Sequence, residues 1–250
     1  MYNFFKKKEP SITFECTTWA VRKYAPIQPA SRFVPEKFKN LPSILKKGEH
    51  PIDDIHTIKV CPSIKHYIGL GFVIPAWCDI EITPNGKNGK PQVTYSDPEM
   101  NESFHYPEQL GNFMDEKFKV RVPIKLDNPW HPWQPKGWSA LYLPMYWHEG
   151  ENFEAVPGVI DHDMASMHCP INIMLKQEKT TLIKQGTPLT QVIPFKREIL
   201  TATTQDGTDN GFKRFEYLRR LKYLTFKGWR SLVVSNEQRS IVNAKDVDDI

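Results

Sequence analysis

The sequence has no apolar run near the roughly 18 residues needed to cross a bilayer, no Cys-x-x-Cys pair, no Gly-x-Ser-x-Gly elbow and no complete phosphate-binding glycine loop. Each absence removes a class of function. Without the apolar run, no helix spans a membrane. Lys6, Lys7 and Lys8 occupy the place where a secretory signal would put its apolar stretch, so export is not expected. Cys16, Cys61, Cys78 and Cys169 are scattered, which predicts buried free thiols rather than a zinc knuckle, a redox pair or a disulfide framework. Gly69-Leu70-Gly71 lacks the third glycine of a dinucleotide loop and reads as a tight turn. No serine or cysteine is nominated as a nucleophile, and no cofactor is expected.

What is present points to β structure. Twenty-one prolines with 13 glycines and 12% aromatic residues suit short strands and tight turns, because proline interrupts helices. With 40% apolar residues over 250 positions there is enough for one large core. The expected fold is all-β, a β-sandwich or jelly-roll-like domain over residues 1–200, followed over 201–250 by a linker and a basic helical tail.

Alternation predicts strands at Ser11–Val21, Phe72–Thr83, Phe118–Leu126 and Ser139–Tyr146, and three or four more between Gly158 and Phe195. Pro84-Asn85-Gly86-Lys87-Asn88-Gly89-Lys90 reads as a hairpin turn, since Asn-Gly takes positive φ readily. A short helix is predicted from Cys61 to Gly71 and one turn from Pro35 to Lys39, while Asp97–Asp115 reads as a loop and the proline- and tryptophan-rich run Asn128–Trp138 as a cover over one sheet end. Repeats are absent.

Net charge is only +4, but Gly211–Ser231 sets Lys213, Arg214, Arg219, Arg220, Lys222, Lys227 and Arg230 against Glu216 alone. Phe212, Phe215, Leu218 and Leu221 recur at helical spacing in the same stretch, with Asp209 or Asn210 before it as a cap. An amphipathic helix that docks on protein explains this pattern best. Phosphate backbones are the alternative, with Lys213, Arg214, Arg219, Arg220, Lys222 and Trp229 as contacts. The expected partners are other proteins, or nucleic acid through this tail, with no membrane; an oligomer is compatible.

The densest group of potential metal ligands is Asp161, His162, Asp163, His168 and Cys169, with His148 and Glu149 before it. A facial triad for an oxygenase must converge and leave positions open, which His148, Asp161 or Asp163, and His168 could supply. Adjacent His162 and Asp163 would point to opposite faces of a strand, so the carboxylates read first as hydrogen-bonding a turn and no metal site is expected.

Gly158-Val159-Ile160-Asp161-x-Asp163, followed by Ile183-Lys184-Gln185-Gly186-Thr187-Pro188-Leu189-Thr190-Gln191-Val192-Ile193, resembles the hairpin of the dUTPase and dCTP deaminase superfamily. The resemblance implies a nucleotide site in which Asp161 activates a water beside a magnesium-held phosphate, with Asp163 nearby and Gln191 on the closing strand. Met164 stands where that family has an aromatic residue, and its Arg-Ser-Gly-Leu and glycine-rich arginine motifs are missing, so diphosphatase activity is not expected.

Over most of its length the chain also resembles an uncharacterised family of tailed-phage proteins, mostly marine. The shared elements are Asn128-Pro129-Trp130, Lys136-Gly137-Trp138-Ser139, Gly158–Asp163, and Gly186–Glu198 with its Pro-Phe-Lys-Arg-Glu ending. That resemblance implies a bacteriophage origin, with the host cytoplasm or the virion as the expected location, and no chemistry. The reading is therefore a non-catalytic phage protein, a virion or assembly component with a β scaffold for protein–protein interaction and a docking helix. A dUTPase-like nucleotide-binding or nucleotide-hydrolysing protein, and a metal-dependent oxygenase of the double-stranded β-helix type, are its alternatives.

Overall fold

The structure, a computed structural model, describes residues 10–49, 54–110, 117–148, 150–164 and 169–202, together with 204 and 213. Within these residues the chain is all-β: its strands pair antiparallel and its helices are short. Two compact units are distinguished. One draws on Met1–Phe33 and Gly71–Arg197, the other on Val34–Leu70 and Glu198–Ile250.

The first unit begins with β1 (Thr13–Glu15), α1 (Trp19–Tyr24) and β2 (Gln28–Pro29). The second unit contains α2 (Glu36–Lys39), β3 (Ile44–Lys46), β4 (Ile55–His56) and α3 (Pro62–Gly69). Back in the first come β5 (Phe72–Pro75), β6 (Ile80–Asn85), β7 (Gly89–Tyr95), β8 (Glu102–Phe104), α4 (Pro107–Leu110), β9 (Ile124–Leu126) and β10 (His131–Trp133). The chain then forms β11 (Trp138–Pro144), β12 (Phe153–Ala155), β13 (Gly158–Ile160), β14 (Ile171–Leu175), β15 (Thr181–Ile183) and β16 (Pro188–Lys196).

Three sheets build the first unit's core. The largest runs β13-β11-β16-β5-β2, a second β12-β14-β9-β8, and a third β15-β6-β7. Inward residues from all three join one apolar cluster that includes Ile74, Trp77, Ile80, Ile82, Ile124, Leu126, Ala140, Ile173, Leu175, Ile183 and Val192. The reason is the period of two. In β6, Ile80 and Ile82 are buried while Glu81 and Thr83 face outward, and at the expected turn Gly86 has φ +70°. The four strands between residues 158 and 196 fall where alternation placed them.

Four local expectations are corrected. Phe72–Thr83 is not one strand: β5 ends at Pro75 and pairs with β16 and β2, while β6 starts at Ile80 and pairs with β7 and β15 in another sheet. Ser11–Val21 is not one strand: only Thr13–Glu15 is extended, and α1 follows because Val21 alone needs burial while the Arg22 guanidinium reaches back to the Cys16 carbonyl. Asp97–Asp115 is not all loop, since β8 adds an edge to the second sheet and α4 follows it. In Phe118–Leu126 the buried face is as expected, with Val120, Val122, Ile124 and Leu126 inside. The strand is confined to Ile124–Leu126, because Pro123 has no N–H for a ladder.

All four cysteines are free. Cys78 and Cys169 are buried, whereas Cys16 and Cys61 are only half-buried, and burial pushes the Cys78 and Cys169 thiols up to about 11. These two are protonated and unreactive at neutral pH. Among the described residues no helix is long and apolar enough to cross a membrane. The expected linker and helical tail lie outside the described residues apart from 201, 202, 204 and 213.

Candidate functional site

The β13 edge strand pairs with β11 so that Ala140 faces Ile160 and Tyr142 faces Gly158. Continuing that register sets Asp161 beside Ser139, and the chain then turns through Asp161–Met164, closed by the Met164 N–H on the Asp161 carbonyl at 3.1 Å. On the other side of β11, strand β16 runs antiparallel and ends with Lys196 opposite Trp138, after which the Arg197 N–H donates to the Gly137 carbonyl at 2.8 Å. Three separate segments thus meet at one corner of the sheet.

Arg197 ties them together. Its guanidinium forks onto Asp163, with Nη1 donating to Oδ1 at 2.9 Å and Nη2 to Oδ2 at 2.5 Å, and the Gly137 N–H donates to the same Oδ2 at 2.7 Å. Nη1 also lies 3.0 Å from Asp161 Oδ1 and 3.2 Å from the Trp138 carbonyl. The Ser139 hydroxyl donates to Asp161 Oδ1 at 2.5 Å. The Asp163 side chain is 2% exposed, Arg197 is 32% exposed and Asp161 is 44% exposed. The geometry is a bidentate arginine–carboxylate pair, the strongest common form of charge-assisted hydrogen bond.

The electrostatics come from these contacts. Donation from Arg197 and then from the Gly137 amide holds the Asp163 carboxyl below the usual carboxylate range. Asp161 is lowered chiefly by the Ser139 hydroxyl and then by Arg197, against the repulsion of Asp163. Arg197 is raised by the same partners. A carboxylate made more acidic is a weaker base, the opposite of the tuning toward neutrality that general-base work requires.

His162 points the other way, into the core, and is 1% exposed. Its Nε2 lies 2.9 Å from the Tyr142 hydroxyl, and that hydroxyl in turn interacts with the Cys169 thiol. Either Nε2 or the tyrosine hydroxyl donates to the other, and Nδ1 is buried with no hydrogen-bond partner among the described residues. Asn128 completes this side: its Nδ2 donates to the Cys169 carbonyl at 3.2 Å, and its Oδ1 accepts from the Trp130 N–H. Burial lowers the His162 pKa, opposed by Asp161.

This lowering has a consequence for stability. A histidine whose folded pKa lies below its unfolded value of about 6.5 contributes stability that is present above that value and lost as pH falls through the folded one. The melting temperature is therefore expected to drop by on the order of 5 °C between about pH 7.5 and 5.5. His162→Gln is expected to flatten that part of the profile. An unchanged slope in the variant would assign the effect to another group, such as His148, whose pKa burial also lowers.

The other candidate residues are not brought to this corner. Gln191 is buried on β16 opposite Leu143, four positions along β11 from Ser139, or about 13 Å at the rise of an extended strand. Met164 is exposed. His148 bonds the Phe33 carbonyl at 2.7 Å and lines a cleft of about 220 Å³ with Lys117, Tyr146, Glu154 and Leu189, and neither Asp161 nor Asp163 lines that cleft. His168 and Glu149 lie outside the described residues. Among those described, no group of three or more His, Cys, Asp or Glu side chains could hold a metal ion. Of the candidate tail contacts only Lys213, exposed, is described; Arg214, Arg219, Arg220, Lys222 and Trp229 are outside.

Sequence reasoning nominated the aspartates but not Arg197, Ser139, Gly137 or Tyr142. A signal existed. Gly137 and Ser139 belong to the Lys-Gly-Trp-Ser element and Arg197 to the Pro-Phe-Lys-Arg-Glu ending. These sequence elements converge on Asp161 and Asp163, with Asn128 of Asn-Pro-Trp on the inner side of the same hairpin.

No family model matches the chain, and neither does any curated protein. Among solved structures it is similar to a dUTPase from phage phi11 of S. aureus, described as visualising a species-specific insert. The TM-score is 0.36 and the identity 10%, over 80% of this chain and 98% of the dUTPase. A mutant of the phage phi11 dUTPase, described as revealing coordination of a structural Mg(II) ion, has a TM-score of 0.33 and 10% identity over 80% and 99% of the two chains. Likeness at that level assigns no activity to this chain.

Proposed function

We propose that this chain is a non-catalytic bacteriophage protein, a virion or assembly component whose β-sandwich is a scaffold for contacts with other proteins. The observation that supports this reading is the closure of both signature aspartates onto Arg197, where each becomes more acidic. Such a pair fastens a hairpin to a sheet. It is not tuned to take a proton from water.

In lysates of a host infected by the phage that encodes the chain, mass spectrometry is expected to find it in purified particles at a fixed ratio to the major capsid protein. Presence only in the unassembled fraction would refute the virion reading.

Nucleotide binding is the second reading, favoured by one feature: Asp161 stands at the end of an edge strand with its side chain 44% exposed. On the scaffold reading, deoxynucleoside triphosphates with magnesium leave the melting temperature unchanged. A concentration-dependent rise that Asp161→Ala abolishes would move the assignment to nucleotide binding.

A further inference from the structure

A second surface of the first unit carries an inference independent of the aspartate hairpin. At one end of the sandwich three segments are stitched together by backbone bonds. The Arg121 N–H donates to the Lys87 carbonyl at 2.8 Å, joining the 117–122 segment to the β6–β7 turn. Lys119 and Val120 donate to the Lys176 and Leu175 carbonyls at 3.3 and 3.4 Å, joining the same segment to the β14–β15 turn. The Thr83 and Thr180 hydroxyls, 3.3 Å apart, close the third side.

These joins gather charge of one sign. Residues 84–90, 117–122 and 176–180 hold seven lysine and arginine side chains and one carboxylate, Glu178, a net of +6. Lys87, Lys90, Lys117, Lys119 and Lys179 are exposed. Glu154 of β12 pairs with Lys117 and lies 3.8 Å from Lys176.

Aromatic surface adjoins the charge. Lys90 Nζ stands 4.5 Å from the ring centroid of Phe104, and Tyr106, two residues on, is 75% exposed. Phe104, His105 and Tyr106 line an open groove of about 460 Å³ with Asn88, Lys90 and Val122, and one carboxylate, Glu102, lines it too. That volume lies within the roughly 300–1,000 Å³ of small-ligand sites.

We propose that this end of the sandwich binds single-stranded nucleic acid, with the lysine- and arginine-bearing turns tracking the phosphates and the Phe104–Tyr106 groove receiving bases. Cations for the backbone beside aromatic faces for stacking are what a strand with unpaired bases requires. A duplex hides its base faces and would use the charge alone, and an acidic protein would leave the aromatic groove idle. The inference rests on neither the scaffold reading nor the basic segment near the carboxyl end.

The test is fluorescence anisotropy of the full chain with labelled oligo-dT of about 20 nucleotides at low salt, a length that covers one or more sites of this kind. Lys90→Glu with Lys119→Glu is expected to weaken binding at least tenfold, and Tyr106→Ala about fivefold or more, with an unchanged salt slope for the tyrosine variant. The melting temperature of each variant, measured alongside, is expected to match the parent, since all three side chains are exposed. If oligo-dT does not bind, or binds the variants as well as the parent, the assignment is wrong and any binding belongs to the carboxyl-terminal basic segment. Competition by heparin or duplex equal to that by oligo-dT, with Tyr106→Ala neutral, would likewise overturn it in favour of an unspecific polyanion surface.

Discussion

Arg197→Ala is expected to lower the melting temperature by roughly 5–10 °C, because it leaves the buried Asp163 carboxylate without its counter-ion. Asp163 then keeps only the Gly137 amide, and Asp161 keeps only Ser139. Removing one partner of a desolvated pair is more damaging than removing both, since the remaining charge has little water and no counter-ion. Arg197→Lys should recover part of the loss: an ammonium restores the charge but not the fork. Asp161→Ala should cost less than Asp163→Ala, as Asp161 is half open to solvent. Both carboxyls have depressed folded pKa values, so their contribution is present above the unfolded range near 4 and is lost as pH falls through the folded values. Thermal unfolding of the four variants at neutral pH checks the order.

Gly71→Ala is expected to be strongly destabilising, at about 3 kcal/mol or more, or to prevent folding. Two effects combine. Gly71 has φ +73°, where an L side chain is strained, and a Cβ there would lie 2.2 Å from the Val192 carbonyl oxygen, a backbone atom in the middle of β16 that cannot move aside. Its own carbonyl accepts from the Ala30 N–H at 3.0 Å, so the residue also anchors the end of β2. Soluble yield and a urea midpoint for Gly71→Ala, compared with Gly158→Ala, whose Cβ would meet nothing within 4 Å, separate backbone conflict from a general effect of losing glycine.

Where a single physical rule decided the outcome, the sequence was readable. Alternation located the buried face of Ile80–Thr83 and the strands after Gly158, Asn85-Gly86 located the β6–β7 turn, and Pro62 at the first helical position marked the start of α3. Where two rules competed, it was not. Thr-Thr-Trp-Ala-Val alternates, yet only Val21 needed burial, and a short helix does that as well as a strand. Phe118–Leu126 alternates throughout, but its ladder waits for the residue after Pro123.

The site divided in the same way. Placing Asp161 and Asp163 on one side of the hairpin and His162 on the other was legible from the period of two. Their partner was not, because Arg197 is 34 residues from Asp163 and is brought to it only by the pairing of β16 with β11. No local pattern encodes that pairing. Likewise the exposed aromatic groove beside Lys90 arises from the 102–106 segment, read from its mixed polarity as a loop.

The central claim is that Asp163 and Arg197 act as one structural unit. A double-mutant cycle over Asp163→Asn and Arg197→Ala, read by urea unfolding of the two single variants and the double, tests it most directly. The account predicts strong coupling: each single change is destabilising, and the double variant is no less stable than the worse of the two. Losses that simply add, or single variants as stable as the parent, would contradict it and return the hairpin's aspartates to candidacy as reactive groups.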